Sequence, residues 1–162
     1  CAPALYANGD GLLERLPAEF PRFRDTSTWN GHQVQIMKLA QLGLWSLHLR
    51  LAHDGVALVR DPHAATGFAD YILPVAFEVM GIFSYSPALA ARIAAGSEIV
   101  RDSVEEIEIR AATIYAVTRL ADEMNALRPD SAQLIAPQVD YRLWKAYHAT
   151  HRRHHLTRTV MY

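Results

Sequence analysis

The chain has 162 residues, of which 51% are hydrophobic and 20% are charged. This length and composition are typical of one globular domain with a sizeable core, and they exclude a disordered chain. The net charge of −1 argues against a protein that holds long nucleic acids by charge attraction.

The first third of the chain predicts helices separated by turn signals. Residues 3–20 contain two short helical pieces, and residues 22–31 form a polar loop. Asn30 is a suitable N-cap for a helix over residues 32–52. Because apolar side chains occupy most faces of that helix, we expect it at the centre of the domain. Its Lys38 either extends to the surface or lies where it can bind an anion.

Asp70 stands out because no other Asp, Glu, Lys or Arg lies between Asp61 and Glu78. It precedes an apolar run that predicts a helix over residues 71–80. One interpretation is a helix cap, whose carboxylate accepts hydrogen bonds from free N–H groups of the first turn. The other is a carboxylate in an apolar pocket, aimed at positive charge that develops in a reaction. Both interpretations can hold together.

Cap signals predict three further helices. Ser86-Pro87 begins a helix that ends before Gly96, and Ser103 begins a long helix that ends at residues 128–129. A last helix follows Pro137.

Two of these helices carry charged residues at informative positions. Glu106 and Arg110 are four residues apart, which predicts a surface ion pair. Asp140 falls on the apolar side of the last helix, where an unpaired carboxylate is costly. Asp140 is therefore either a cap or a ligand contact.

Residues 141–162 contain five Lys or Arg, four His and no acidic residue. Such a block is commonly a solvated tail, and the alternative is a site for one phosphate group. The four His have no acidic or Cys neighbour and lack the spacing of usual zinc sites. We therefore expect no metal.

Several expectations concern the setting of the chain. The apolar run 72–83 is too short to cross a bilayer, and no signal peptide opens the sequence, so we expect a cytoplasmic protein without a membrane partner. The single cysteine, Cys1, permits no internal disulfide. A first residue other than Met suggests a fragment or a processed chain. With no alternating strand pattern, repeat or Gly-rich phosphate loop, we expect an all-α fold.

Motifs along nearly the whole sequence resemble the queuosine salvage protein family. The matching segments are Phe20-Pro21-x-Phe23-Arg24-Asp25, Lys38-x-Ala40-Gln41, Phe68-Ala69-Asp70-Tyr71-x-Leu73-Pro74, Tyr85-Ser86, Glu106-Ile107-Glu108-Ile109-Arg110, Asp140-Tyr141-x-Leu143-Trp144 and His155-x-x-Arg158-x-x-x-Tyr162. The resemblance implies that residues 1–162 are a single helical domain, the C-terminal part of such a protein, with a fold like helix-hairpin-helix DNA glycosylases. It also implies hydrolysis of the N-glycosidic bond of queuosine 5′-phosphate, which releases queuine.

The resemblance assigns roles to individual residues. Asp70 matches the catalytic aspartate. Asp140 and Tyr141 match positions that read the base, and Phe68 matches one that packs on its face. The candidates for the 5′-phosphate are Lys38, Arg110 and Arg158. No cofactor is implied, and the expected partner is the small nucleotide alone, bound by a monomer.

Four positions depart from the family pattern. Ile72 replaces an Arg, Val75 replaces a Gln, Leu39 replaces a second cation, and Lys145 replaces an acid that helps to hold the base. Because the N-terminal portion of such proteins is not part of this sequence, we expect the chain alone to fold but to hydrolyse slowly. Two alternatives stay open, namely a glycosylase that acts on DNA bases and a truncated, non-catalytic nucleotide-binding domain.

Overall fold

The computed structural model describes residues 2–162. The helices are α1 (Leu12–Glu19), α2 (Lys38–His53), α3 (Ile72–Val79), α4 (Pro87–Ala95), α5 (Val104–Ala126) and α6 (Ala136–Tyr147). The strands are β1 (Thr26–Trp29) and β2 (His32–Gln35), and short 3-10 turns cover Pro21–Phe23, Pro62–Ala64 and Asp130–Ala132. Cys1, and with it the expectation about disulfides, lies outside the described residues.

The expected all-α fold is wrong because residues 26–35 form a β-hairpin. Strands β1 and β2 pair antiparallel, with Thr26 opposite Gln35 and Trp29 opposite His32. Asn30 and Gly31 form the turn with φ of 48° and 80°, and Asn-Gly is the preferred pair for such a tight turn. Asn30 is thus a turn residue and not a helix cap. The following helix begins six residues later than predicted, at Lys38.

The described residues also give no support to the expected helix-hairpin-helix likeness. Helix α3 packs against α5 and α6. These three helices enclose the main core, which consists of Leu73, Phe77, Ala116, Val117, Ala121, Leu134, Ala136, Val139 and Leu143. The chain is therefore a mixed α/β domain in which three helices carry the core and a small hairpin joins its edge.

The position of α2 differs from the prediction as well. A smaller core of Leu5, Leu13, Met37, Ala40, Val59 and Ala65 lies between its first turns and the N-terminal segment. Beyond those turns, Leu47 and Leu49 are 46% and 50% exposed. Helix α2 is thus a peripheral helix, and its apolar composition does not reflect a central position.

The cap signals of the later helices are confirmed. Ser86 Oγ accepts a hydrogen bond from the Leu89 amide at 3.3 Å, and Gly96 ends α4 with φ of 69°. Ser103 Oγ caps α5 by accepting from the Glu106 amide at 3.3 Å. Among residues 2–162, the structure contains no helix with the length and apolar character needed to cross a membrane.

Candidate active site

A cleft of about 800 Å³ opens between α2 and α6, and residues 68–71 contribute to its wall. The aromatic residues along it are Trp45, Phe68, Tyr71, Tyr141, Trp144 and Tyr162. Its charged residues are Lys38, Asp70, Asp140, Arg142 and Lys145. Aromatic walls with a few charged groups suit a flat, polar ligand, because rings stack on one another while the charges fix orientation.

Asp70 lies in the wall of this cleft with 8% of its surface exposed. Its Oδ1 accepts hydrogen bonds from the amides of Ile72 at 2.8 Å and Leu73 at 2.9 Å, in the first turn of α3. Burial raises the pKa of Asp70, whereas the two amides and the nearby charges of Lys38 and His154 oppose that rise. Asp70 is therefore both a helix cap and a carboxylate held at the cleft.

The segment that leads to Asp70 is held by a buried polar contact. The Thr66 amide donates to Gln41 Oε1 at 2.8 Å, and Gln41 Nε2 donates to Thr66 Oγ1 at 2.9 Å. Gly67 follows so close to α5 that a Cβ there would lie 2.8 Å from Val117 Cβ. The Gln41 and Gly67 contacts together fix the backbone just before the carboxylate.

Asp140 is the second buried carboxylate at the cleft, with 5% of its surface exposed. Its Oδ2 accepts a hydrogen bond of 2.6 Å from the Phe68 amide, so it joins α6 to the segment before α3. Burial, together with the negative charge of Asp70, raises the pKa of Asp140 to about 7. Near neutral pH its carboxyl group is therefore protonated in a substantial fraction of molecules.

Lys38 is the first residue of α2 and lies in the same cleft as the two carboxylates. Burial lowers the pKa of Lys38, and the negative charges of Asp70 and Asp140 act in the opposite direction. The structure therefore places one ammonium group where it compensates two buried carboxylates.

The two arginines proposed from the resemblance are not brought to the cleft. Arg158 is exposed and does not line it. Arg110 is only 2% exposed and donates to Asp25 with both Nη atoms. The predicted surface pair of Arg110 with Glu106 is also wrong, because Glu106 is fully buried and its Oε1 lies 3.6 Å from Nη1.

The structure adds residues that sequence reasoning did not select. Tyr162 reaches the cleft, and the Arg110 guanidinium carbon lies 4.6 Å from the centre of its ring. Trp144 lies four residues after Asp140, so helical spacing places both residues on the same face of the last helix and could have predicted Trp144 beside Asp140. Asp25 and Tyr162 fall within the family motifs, which was their only sequence signal. Within the described part of the chain, no group of three or more His, Cys, Asp or Glu is placed to hold a metal.

A buried carboxylate beside an aromatic cleft belongs to the class of site that can stabilise positive charge developing on a bound ligand. Comparison with known proteins identifies the family of the chain, because the family described as queuosine salvage protein matches residues 4–162. The chain belongs to the queuosine salvage protein family.

Several curated relatives carry the name queuosine 5′-phosphate N-glycosylase/hydrolase. The one from Sphaerobacter thermophilus is 38% identical over 154 residues, which are 93% of this chain and 47% of the relative. The one from Dictyostelium discoideum is 32% identical over the same shares. The one from Mus musculus is 27% identical over all of this chain and 51% of its own length. The chain thus spans about half the length of the curated relatives it matches.

Proposed function

We propose that this chain takes part in queuosine salvage by hydrolysing the N-glycosidic bond of queuosine 5′-phosphate, which releases queuine. The observation that carries the proposal is the Asp70 carboxylate, held by two amides of α3 in an aromatic cleft. The names of the relatives, queuosine 5′-phosphate N-glycosylase/hydrolase, support the substrate.

Asp70 has the role of stabilising or attacking the ribose carbon. Breaking the bond to the base builds positive charge at C1′, and an ionised carboxylate beside it lowers the energy of that transition state. The Ile72 and Leu73 amides hold Asp70 in one orientation without occupying its second oxygen. That Oδ2 is the atom we assign to the ribose.

Asp140 has the role of contacting the leaving base. A 7-deaza base has no ring nitrogen at position 7 that could be protonated, so its departure needs help at its other polar edges. With a pKa of about 7, Asp140 can donate a hydrogen bond from a protonated carboxyl group, while Asp70 acts as the anion. The two amides that donate to Asp70 favour its ionised form, so the two carboxyl groups can divide these roles.

The remaining contacts follow from which residues line the cleft. Phe68 and Tyr141 are assigned to the face and edge of the base, because both lie beside Asp140 in the cleft wall. Among the three proposed phosphate ligands, Lys38 is the residue that lines the cleft, whereas Arg110 and Arg158 do not. We therefore assign the 5′-phosphate of the nucleotide to the part of the cleft next to Lys38.

The test is incubation of the chain with queuosine 5′-phosphate, with queuine measured by mass spectrometry. Asp70→Asn keeps the size and the hydrogen-bond acceptor of the side chain but removes its charge. Loss of such a preorganised interaction costs on the order of 10²–10³ in rate. The matched control is Asp122→Asn, since Asp122 is exposed on α5, and it should leave the rate unchanged. Absence of queuine with the parent chain, or equal rates for both variants, would refute the proposal.

A further inference from the structure

The buried arginine on α5 forms a two-point ion pair with Asp25 and contacts a residue that lines the cleft. Arg110 Nη1 donates to Asp25 Oδ1 at 2.9 Å and Nη2 donates to Oδ2 at 2.6 Å, with both side chains 2% exposed. A planar guanidinium that meets both carboxylate oxygens has its orientation fixed, which a single ammonium group cannot achieve. This pair joins the segment before β1 to the second turn of α5, 85 residues away.

Asp25 extends the contact to the start of α2. Its Oδ2 also accepts a hydrogen bond of 3.1 Å from the Lys38 amide. Its backbone carbonyl accepts from the amides of Ile36 at 3.0 Å and Met37 at 3.3 Å. Met37 has a left-handed φ of 52°, a conformation that non-Gly residues adopt only where the surroundings hold it. The direction in which the Lys38 side chain leaves the backbone therefore depends on Asp25.

Arg110 extends the contact to the other end of the sequence. Its guanidinium carbon lies 4.6 Å from the centre of the Tyr162 ring, which is a cation–π contact, and Tyr162 lines the cleft. The Tyr162 hydroxyl also lies 3.3 Å from Nε2 of the buried His155. One ion pair thus contacts two cleft residues that are far apart in sequence.

We propose that Asp25 and Arg110 form a positioning pair, which holds Lys38 and Tyr162 in place at the cleft without contacting the ligand. The catalytic consequence rests on the proposed function, whereas the positioning itself does not. Because catalytic groups act only at short and well-defined distances, a displacement of about 1 Å can cost on the order of 10²-fold in rate.

The experiment compares two variants of the pair with a matched control. Because the buried Glu106 also lies 3.6 Å from Arg110, the neutral variant is Asp25→Asn/Glu106→Gln/Arg110→Met. It removes all three charges, so no buried charge of this cluster is left without a partner, and such neutral replacements are commonly tolerated. Arg110→Lys keeps a positive charge but loses the two-point contact and the planar face on Tyr162. The control is Arg119→Met, because Arg119 lies on the same helix and pairs at the surface with Glu123. Thermal unfolding identifies the folded variants.

The decisive measurement is the titration of Asp140, followed by NMR of its ¹³C-labelled carboxyl carbon and assigned with Asp140→Asn. The positive charge of Lys38 lowers the pKa of Asp140, and with this effect included the pKa in the parent is about 7. We expect that pKa to rise by at least about half a unit in both pair variants, because Lys38 moves away, and to stay unchanged in Arg119→Met. If the neutral triple variant does not fold, the Asp140 titration in Arg110→Lys decides.

Turnover of queuosine 5′-phosphate separates this inference from the proposed function. With an active parent, kcat/KM of the pair variants should fall by on the order of 10- to 100-fold. An inactive parent would refute the proposed function alone, since the titration still reports the position of Lys38. An unchanged Asp140 titration in a folded variant, or a shifted titration with unchanged kcat/KM, would overturn the positioning role.

Discussion

Asp140→Asn should stabilise the protein, and increasingly so as the pH rises. Burial raises the pKa of Asp140 from an ordinary 3.8 to about 7. Between these values the folded state keeps a proton that the unfolded state releases, so the free energy of unfolding falls with rising pH. At about 1.36 kcal/mol per pKa unit, the full loss above pH 7 is about 4 kcal/mol. At pH 5 less than half of that loss has developed.

Asparagine avoids this loss because it carries no charge, and its side-chain oxygen can still accept from the Phe68 amide, now at 2.6 Å from Asp140 Oδ2. The free energy gained by the substitution should therefore be about 2–3 kcal/mol larger at pH 8 than at pH 5. Urea unfolding at both pH values measures it, with the exposed Asp122→Asn as control. The same gain at both pH values would refute the reasoning, because it would mean that Asp140 ionises as easily in the folded protein as in the unfolded one.

Three further substitutions test other parts of the structure. Gly67→Ala should cost about 1–3 kcal/mol of stability in urea unfolding, because its Cβ would lie 2.8 Å from Val117 Cβ; a neutral effect would show that the segment before Asp70 moves freely. Gly31→Ala should cost on the order of 1 kcal/mol, since the hairpin turn needs its φ of 80°, and an unchanged unfolding midpoint would contradict that turn. Burial lowers the pKa of His155 to about 4, so below pH 6.5 the unfolded state takes up a proton that the folded state does not. Between about pH 7 and pH 4, the free energy of unfolding of the parent should therefore fall by about 3 kcal/mol more than that of His155→Phe. An equal fall in both proteins would rule this out.

The capped starts of α4 and α5, the end of α4 and the motifs of the family could be read from the sequence. Ser86, Gly96 and Ser103 act through hydrogen bonds or backbone angles within a few residues of themselves, so neighbouring residues suffice to predict them. Asp70 is of the same kind, because its amide partners are two and three residues away. The hairpin is also encoded locally, by Asn30-Gly31. The prediction of a loop and a helix cap there is wrong because Asn is favoured both in tight turns and at N-caps, and the residues nearby do not distinguish the two.

The environment of each charge was decided only by the tertiary structure. Arg110 meets Asp25 across 85 residues, and Asp140 meets the Phe68 amide across 72. Nothing in the spacing of Glu106 and Arg110 distinguishes a buried pair from a surface pair, since helical periodicity gives the face but not what covers it. Burial and the approach of distant charges set the pKa of Asp140 and the partner of Arg110, and both arise only when the helices pack.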